Sequence, residues 1–375
     1  MDLSFIFPCL NEAETLKQCI DEVRTALERT KVSFEIIVAD NGSDDGSDAL
    51  AMQCGAKVVH EARRGYGAAI TAGIRAAEGN YIAFADADGS YPLQHIGTLY
   101  EKAVTTGADM VIGSRFQGEI ESGAMPWSHR YLGTPILTAM INWIYHGRLS
   151  DCNSGFRLIK KSACESWKIR CDGMEFASEL LVKALKHKAV IVEVASGLKR
   201  DKRTRTPHLK TWRDGMRHLL FILSEAPGLF EKTGLFLFFF ATLVQFFAFF
   251  TGQTTIGNMD VCGIHTKIIT LILAALGVQM YLLGCCLLVV SPEEKSFSLT
   301  RFLINMPADI LFFLLCLLGV ILTAILSMVF YTWVQNHFSN LDMSAVLFVL
   351  AHLMILIGFT AFGLLEIHII KRKVL

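Results

Sequence analysis

Two carboxylates one residue apart, Asp86 and Asp88, follow directly on the apolar run Tyr81–Ala85. A compact run of that kind reads as a central strand of a parallel sheet. The acid pair then sits at the strand's carboxyl end, where open α/β sheets bind their ligands. Two hard oxygen donors suit Mg²⁺ or Mn²⁺, an ion that can also hold a diphosphate. In isolation the same residues describe a solvated turn, because Asp and Gly are common turn formers. The weight of the pair therefore depends on what surrounds it.

The elements that must position the pair alternate in type. Leu3–Pro8 reads as a first strand, and Asn11 opens a helix running to about Arg29. Phe34–Asp40 is a second strand ending in an acid, followed by a turn over Asn41–Gly46 and a helix. Ala56–His60 is a third strand. The turn with Gly65 and Gly67 leads from it into a helix reaching about Ala77. Asp109–Arg115 is a further strand. Strands alternating with helices imply a mainly parallel, Rossmann-like sheet. The Gly65/Gly67 turn either faces its amides to a phosphate or is simply a turn. It lacks the third glycine of a dinucleotide fingerprint, and no phosphate-binding loop of the G-x-x-x-x-G-K-[ST] type occurs.

The 375 residues carry no formal net charge, and the mean hydropathy of +0.42 is high for an ordinary soluble enzyme. The excess lies after Thr233, in four apolar runs over Thr233–Thr251, Ile268–Val290, Ile310–Val334 and Ala345–Ile370. Each is long enough to span a ~30 Å hydrocarbon core at about 1.5 Å per residue. Lys295 and Arg301 lie in one connecting loop and Lys371–Lys373 near the end, so the positive-inside rule puts both termini in the cytoplasm. The start has no basic region ahead of an apolar stretch, which agrees with a cytoplasmic first domain. Met125–Tyr145, broken by Pro126 and Pro135, and Leu209–Leu223 read as interfacial helices. The ten cysteines show no metal-site spacing and read as reduced thiols. Neutral charge without interleaved aromatics argues against nucleic-acid binding. The expected domains are 1–208 catalytic, 209–230 an interfacial amphipathic helix, and 231–375 an all-α transmembrane domain of four helices.

Taken in order, Pro8 to Glu12, Asp40 to Ser47, Arg64 to Gly67, Asp86 to Gly89 and Gly113 to Phe116 resemble the inverting family 2 glycosyltransferases of GT-A fold. Asp151–Arg157 and Gly173–Leu180 narrow the resemblance to the polyprenyl-phosphate glycosyltransferases, the group of dolichol-phosphate mannose synthase and bacterial undecaprenyl-phosphate glucosyltransferases. The resemblance covers residues 1 to about 230. It implies a nucleotide sugar donor, a polyprenyl phosphate acceptor, a bilayer and an oligomer. It places the metal on Asp86 and Asp88, with Gln94 adding an oxygen. It puts the nucleotide against Pro8, Asn11, Glu12, Asp40, Gly65, Gly67 and Asp86, with Arg200 on a phosphate. Arginine's planar fork suits phosphate, and Arg115 and Arg130, with the Thr134 hydroxyl, are the matching acceptor residues. Ser154 and Arg157 shape the acceptor side. Glu175 and Glu179 share a helix face, and either is a sugar contact, a base or a structural carboxylate. A processive polysaccharide synthase is the rival enzyme, but the Gln-x-x-Arg-Trp motif expected there does not occur. A sugar nucleotidyltransferase would need a glycine-rich loop after the first strand. A non-catalytic lipid-handling membrane protein would not need the acid pair.

Overall fold

A computed structural model describes residues 1–201, 211–251, 255–256, 259–260, 262–291, 294–335 and 344–374. The chain divides into two compact units, Met1–Leu223 and Ser224–Leu375.

The first unit runs β1 (Leu3–Cys9), α1 (Leu16–Glu28), β2 (Phe34–Asp40), α2 (Ser47–Gln53), β3 (Lys57–His60), α3 (Tyr66–Ala76), β4 (Tyr81–Phe84) and α4 (Ile96–Thr106). It continues with β5 (Met110–Ser114), α5 (Thr134–Tyr145), β6 (Arg157–Lys160), α6 (Lys161–Ser166), α7 (Phe176–Lys186), β7 (Ile191–Ala195) and α8 (Thr211–Ser224). The sheet order is β3-β2-β1-β4-β6-β5-β7. All neighbours are parallel except β6, which runs antiparallel to both β4 and β5. The sheet is thus mainly parallel, with one reversed strand directly after the Asp151–Phe156 segment.

Side chains alternate across the sheet with a period of two. Phe5, Phe7, Val38, Ala83 and Val111 join one buried cluster with α1 and α4. Ile6, Ile37, Phe84, Met110 and Ile112 join a second cluster with α3, α5, α7 and α8. Helices on both faces give the three-layer GT-A arrangement. The chain leaves β1 for β2 and β3 on one side, then returns to pair β4 on the other. Neighbouring loops diverge at such a reversal, and a crevice opens at the carboxyl ends of β1 and β4.

The second unit holds α9 (Pro227–Thr251), α10 (Ile264–Val290), α11 (Ser298–Ile304), α12 (Ala308–Gln335) and α13 (Ser344–Val374). Four of these contain segments long and apolar enough to cross a membrane: Pro227–Thr251, Ile264–Val290, Ala308–Gln335 and Val349–Lys373. Helices α9 and α10 approach closely where both carry glycine. A Cβ at Gly277 would lie 2.6 Å from the Phe238 amide nitrogen, the small-residue contact that apolar helices use when no hydrophobic force drives them together.

Candidate active site

A cavity of about 540 Å³ occupies the crevice. Its walls come from β1 and the turn after it (Pro8, Cys9, Leu10, Glu12), from Asn41 after β2, and from Arg64, Gly65 and Tyr66 at the start of α3. Asp86, Ala87 and Asp88 form its floor beyond β4, and Gly173 and Met174 precede α7. Arg213, Asp214 and Arg217 reach it from α8. The acid pair and its expected companions Pro8, Glu12 and Gly65 therefore share one cavity.

The carboxylates are oriented locally. Asp88 Oδ1 accepts the Ser90 amide at 2.9 Å and the Ser90 hydroxyl at 2.6 Å. Asp86 lies against Gly155, where a Cβ would come to 2.8 Å from its Oδ2. The Gly155 amide donates to the Tyr91 hydroxyl at 2.7 Å. Burial, with the Asp86 carboxylate nearby, raises the Tyr66 phenol well above its ordinary value and pushes Tyr91 up to about 12. Both phenols thus stay protonated beside the acids. Among the described residues no group of three His, Cys, Asp or Glu side chains gathers as a metal cage. Two hard carboxylates on an open wall fit Mg²⁺ or Mn²⁺, which keep several ligands from water and phosphate.

Gly65 has a φ of +145°, and a side chain there would collide with the Asp172 carbonyl. Its amide already donates to Asn41 Oδ1 at 2.8 Å. Gly67 lies off the cavity wall and makes room for Cys171 and Phe176, so its role is packing.

Several expected contacts are not brought to the cavity. Asp40 is engaged by its own turn: it accepts the Gly42 amide at 3.1 Å and the Ser43 amide at 3.2 Å, with His60 Nδ1 at 3.3 Å. The wall residue at that place is Asn41. Asn11, in the left-handed region at φ 59°, accepts the Asp44 amide at 2.8 Å and shapes the turn instead. Gln94 is exposed on a single 3₁₀ turn, Leu93–His95, away from the wall. Pro92 and four further residues separate it from Asp88.

Arg115, Arg130, Thr134, Ser154 and Arg157, expected on the acceptor side, do not line this cavity. Arg115 is clamped by Asp151 through Nε–Oδ2 and Nη2–Oδ1 contacts of 2.7 Å each. Arg157 is fully buried, and donates to the carbonyls of Ser154 at 2.8 Å, Ala177 at 3.0 Å and Cys152 at 2.8 Å. It ties the loop before β6 to α7, as a buried polar group must find acceptors. Ser154 donates to the Gly113 carbonyl at 2.6 Å. Thr134 accepts from Asn153 Nδ2 at 3.3 Å. Arg130 lies half-buried against the Tyr131 ring, 5.6 Å from its centroid. Arg200 donates to the Ser122 carbonyl, outside the wall. The rest of the basic loop, Lys202 to Arg205, lies outside the described residues, as does Leu209.

The two glutamates separate cleanly. Glu179 accepts the Arg170 amide at 3.0 Å and the Cys171 amide at 2.6 Å and pairs with Lys183, a structural cap. Glu175 lies against Gly173, and its buried Oε2 has no hydrogen-bond partner among the described residues.

Wall residues outside the expected set include Asn41, Arg64, Tyr66, Arg213, Asp214 and Arg217. A signal existed for the α8 pair: two arginines four residues apart share one helix face. The rotation of α8 is set from inside. His218 Nδ1 lies 2.8 Å from the Ser178 hydroxyl, and the Tyr145 hydroxyl donates to the Ile222 carbonyl at 2.7 Å. Burial holds His218 below the ordinary imidazole range, against the pull of Glu175 and Asp214. The unfolded chain therefore binds this proton more readily than the folded one. The stabilisation is complete above about pH 6.5 and declines as pH falls towards the lowered folded pKa. Thermal unfolding of the full chain in detergent should show this decline, and His218→Gln should flatten it. A variant with the same slope as wild type would place the acid sensitivity elsewhere.

This fold and site define a GT-A glycosyltransferase domain. The model of the family "Glycosyl transferase family 2" matches residues 4–167. The low-salt glycan biosynthesis hexosyltransferase Agl6 of Haloferax volcanii is 35% identical over 289 residues, covering 75% of this chain and 67% of its own length. The dolichol-phosphate mannosyltransferase of Pyrococcus furiosus is 27% identical over 209 residues, covering 53% and 57%. Glucosyl-3-phosphoglycerate synthase of Mycobacterium tuberculosis, solved with Mn²⁺ and UDP-glucose, aligns with a TM-score of 0.49 at 20% identity over 60% of this chain and 79% of its own. The chain belongs to glycosyl transferase family 2.

Proposed function

We propose that this glycosyltransferase moves a hexose, with inversion, from a UDP- or GDP-hexose to a polyprenyl phosphate at the cytoplasmic face of a membrane. The observation that carries the reading is the acid pair on the floor of a switch-point cavity with arginines on its wall, in a chain that also has four membrane-length helices. The similarity to a dolichol-phosphate mannosyltransferase supports the lipid acceptor. Basic residues in the 291–307 loop and at Lys371–Lys373 support cytoplasmic termini.

Asp86 and Asp88 would hold Mg²⁺ or Mn²⁺, which offsets the charge that builds on a departing diphosphate. Arg64, anchored by its Nη1 to the Asn41 carbonyl at 3.0 Å, supplies a guanidinium on the nucleotide side. Pro8, Glu12 and Asn41 wall the nucleotide end. An oxygen of the acceptor phosphate attacks the anomeric carbon as the bond to the β-phosphate oxygen breaks, releasing the nucleoside diphosphate. A lipid phosphate is already anionic near neutral pH, so no general base has to take a proton. An α-linked donor yields a β-linked glycolipid.

The test is direct. The full-length protein in detergent is given UDP- and GDP-hexoses, undecaprenyl phosphate, and Mn²⁺ or EDTA. One donor should yield a single-sugar lipid product that EDTA abolishes. A polymeric product, or donor hydrolysis without glycolipid, would overturn the reading.

A further inference from the structure

Strand β7 is the last in the sheet and carries a half-buried carboxylate at its centre, Glu193. Its neighbours on the same face, Ile191 and Ala195, are apolar. Its partner across the ladder, Ile112, lies in the second buried cluster. The period of two therefore calls for an apolar side chain at this place. Breaks of the local pattern concentrate at functional sites.

Both oxygens of Glu193 are engaged. Oε1 accepts the Ser150 amide at 2.8 Å and the Asp151 amide at 3.3 Å, and Oε2 accepts Gln117 Nε2 at 2.9 Å. These bonds fix the start of the turn between α5 and β6. The turn's own side chains reach further. Asp151 accepts Nε and Nη2 of Arg115 at 2.7 Å each, and the Asn153 amide at 3.2 Å. Asn153 Nδ2 donates to the Thr134 hydroxyl at 3.3 Å. Gly155, at the far end of the turn, lies against Asp86 Oδ2 and the Tyr91 hydroxyl. The Arg115 guanidinium is near enough to act on that same phenol. One turn thus links a carboxylate of the acid pair to Arg115 and Thr134.

Both of these side chains keep a donor. Asp151 takes one edge of the Arg115 fork, and Nη1 has no acceptor among the described residues. Thr134 accepts from Asn153, which leaves its own O–H to donate. Two donors fixed by one turn suit a phosphate.

We propose that Glu193 is a positioning residue for the acceptor phosphate. It sets the turn from Ser150 to Gly155, and through Asp151 and Asn153 it fixes the donors of Arg115 and Thr134 relative to Asp86. The assignment rests on the function proposed above, with the lipid phosphate met by those two donors. Glu193 itself touches no substrate. Its effect comes through geometry, since a misplacement of about 1 Å at a reacting group costs about a hundredfold.

The test uses the full-length protein in detergent micelles, with binding of farnesyl phosphate and of UDP and GDP measured separately. Glu193→Val gives the strand the apolar side chain that its pattern calls for. Glu193 also borders a surface cavity of about 430 Å³, so water can replace it at the bared amides. The variant should fold, lose farnesyl phosphate by roughly ten- to a hundredfold, and keep the nucleoside diphosphate within about twofold. Glu193→Gln should recover most of the loss, because its oxygen still takes the turn amides while the Gln117 amide turns over to accept. Asn153→Ala, which releases only Thr134, should lose about two- to tenfold. Combined with Glu193→Val it should lose less than the product of the two, since both act through one turn. Farnesyl phosphate and nucleoside diphosphate lost together would make Glu193 a scaffold residue only. Undiminished farnesyl phosphate binding would detach it from the acceptor. A Glu193→Gln protein as weak as Glu193→Val would make charge the cause, and not the turn. Each of the three overturns the proposal. A wild-type protein that binds farnesyl phosphate but forms no glycolipid sinks the proposed reaction and leaves the positioning standing. A wild-type protein that forms glycolipid, with Glu193→Val binding farnesyl phosphate equally well, does the reverse.

Discussion

Asp88→Asn should fold normally and lose transfer by about two to three orders of magnitude, equivalent to roughly 2.7–4 kcal/mol of transition-state stabilisation. The fold survives because the Asn carbonyl still accepts the Ser90 amide and hydroxyl that orient Asp88 Oδ1. What the substitution removes is a negative charge on the cavity floor. A neutral amide is a poor ligand for a hard divalent ion, and the departing diphosphate then loses its counter-charge. The measurement is initial rate at saturating donor, with thermal unfolding as the control for folding. The loss should appear in kcat, because the interaction matters most as charge develops. Wild-type turnover in this variant would take Asp88 out of the chemistry.

Asp151→Ala should be the most destabilising single change in the first unit, at about 3–5 kcal/mol. Asp151 is fully buried, and the Arg115 side chain beside it is 13% exposed. Its carboxylate also accepts the Arg115 amide at 3.1 Å and the Asn153 amide at 3.2 Å. Alanine leaves a guanidinium in an apolar setting with neither counter-ion nor acceptor. The double variant R115M/D151L should recover most of the loss, since a buried pair replaced by apolar groups often breaks even. Thermal unfolding of both variants in detergent distinguishes the outcomes. A stable Asp151→Ala protein would mean that Arg115 finds another anion.

Residue type and order were enough for the alternating strands, the acid pair at the end of β4 and the four long apolar helices. Each of these depends on local pattern. Burial forces a short strand to be apolar, and charge near the centre of a lipid-spanning helix is costly, so such helices read as long apolar runs. The family followed from the order of motifs, not from any one of them. Polar partners were not legible, because a side chain's neighbours come from distant parts of the chain. Asp40 and Glu179 carry the same group as Asp86, yet both are capped by backbone amides. Arg157 sits in a motif that suggests ligand binding, but is fully enclosed by three carbonyls.

The amphipathic stretch before the membrane helices shows the division most clearly. Periodicity alone determined that Trp212, Met216 and Leu220 share a face and that Arg213 and Arg217 share another, because helix geometry fixes those angles. Which face meets the cavity depended on the Ser178 and Tyr145 contacts that hold α8 against the core. Those contacts join residues 40 and 77 positions apart. Only the folded chain brings them together, so only the tertiary structure decided that these arginines line the same cavity as the acid pair.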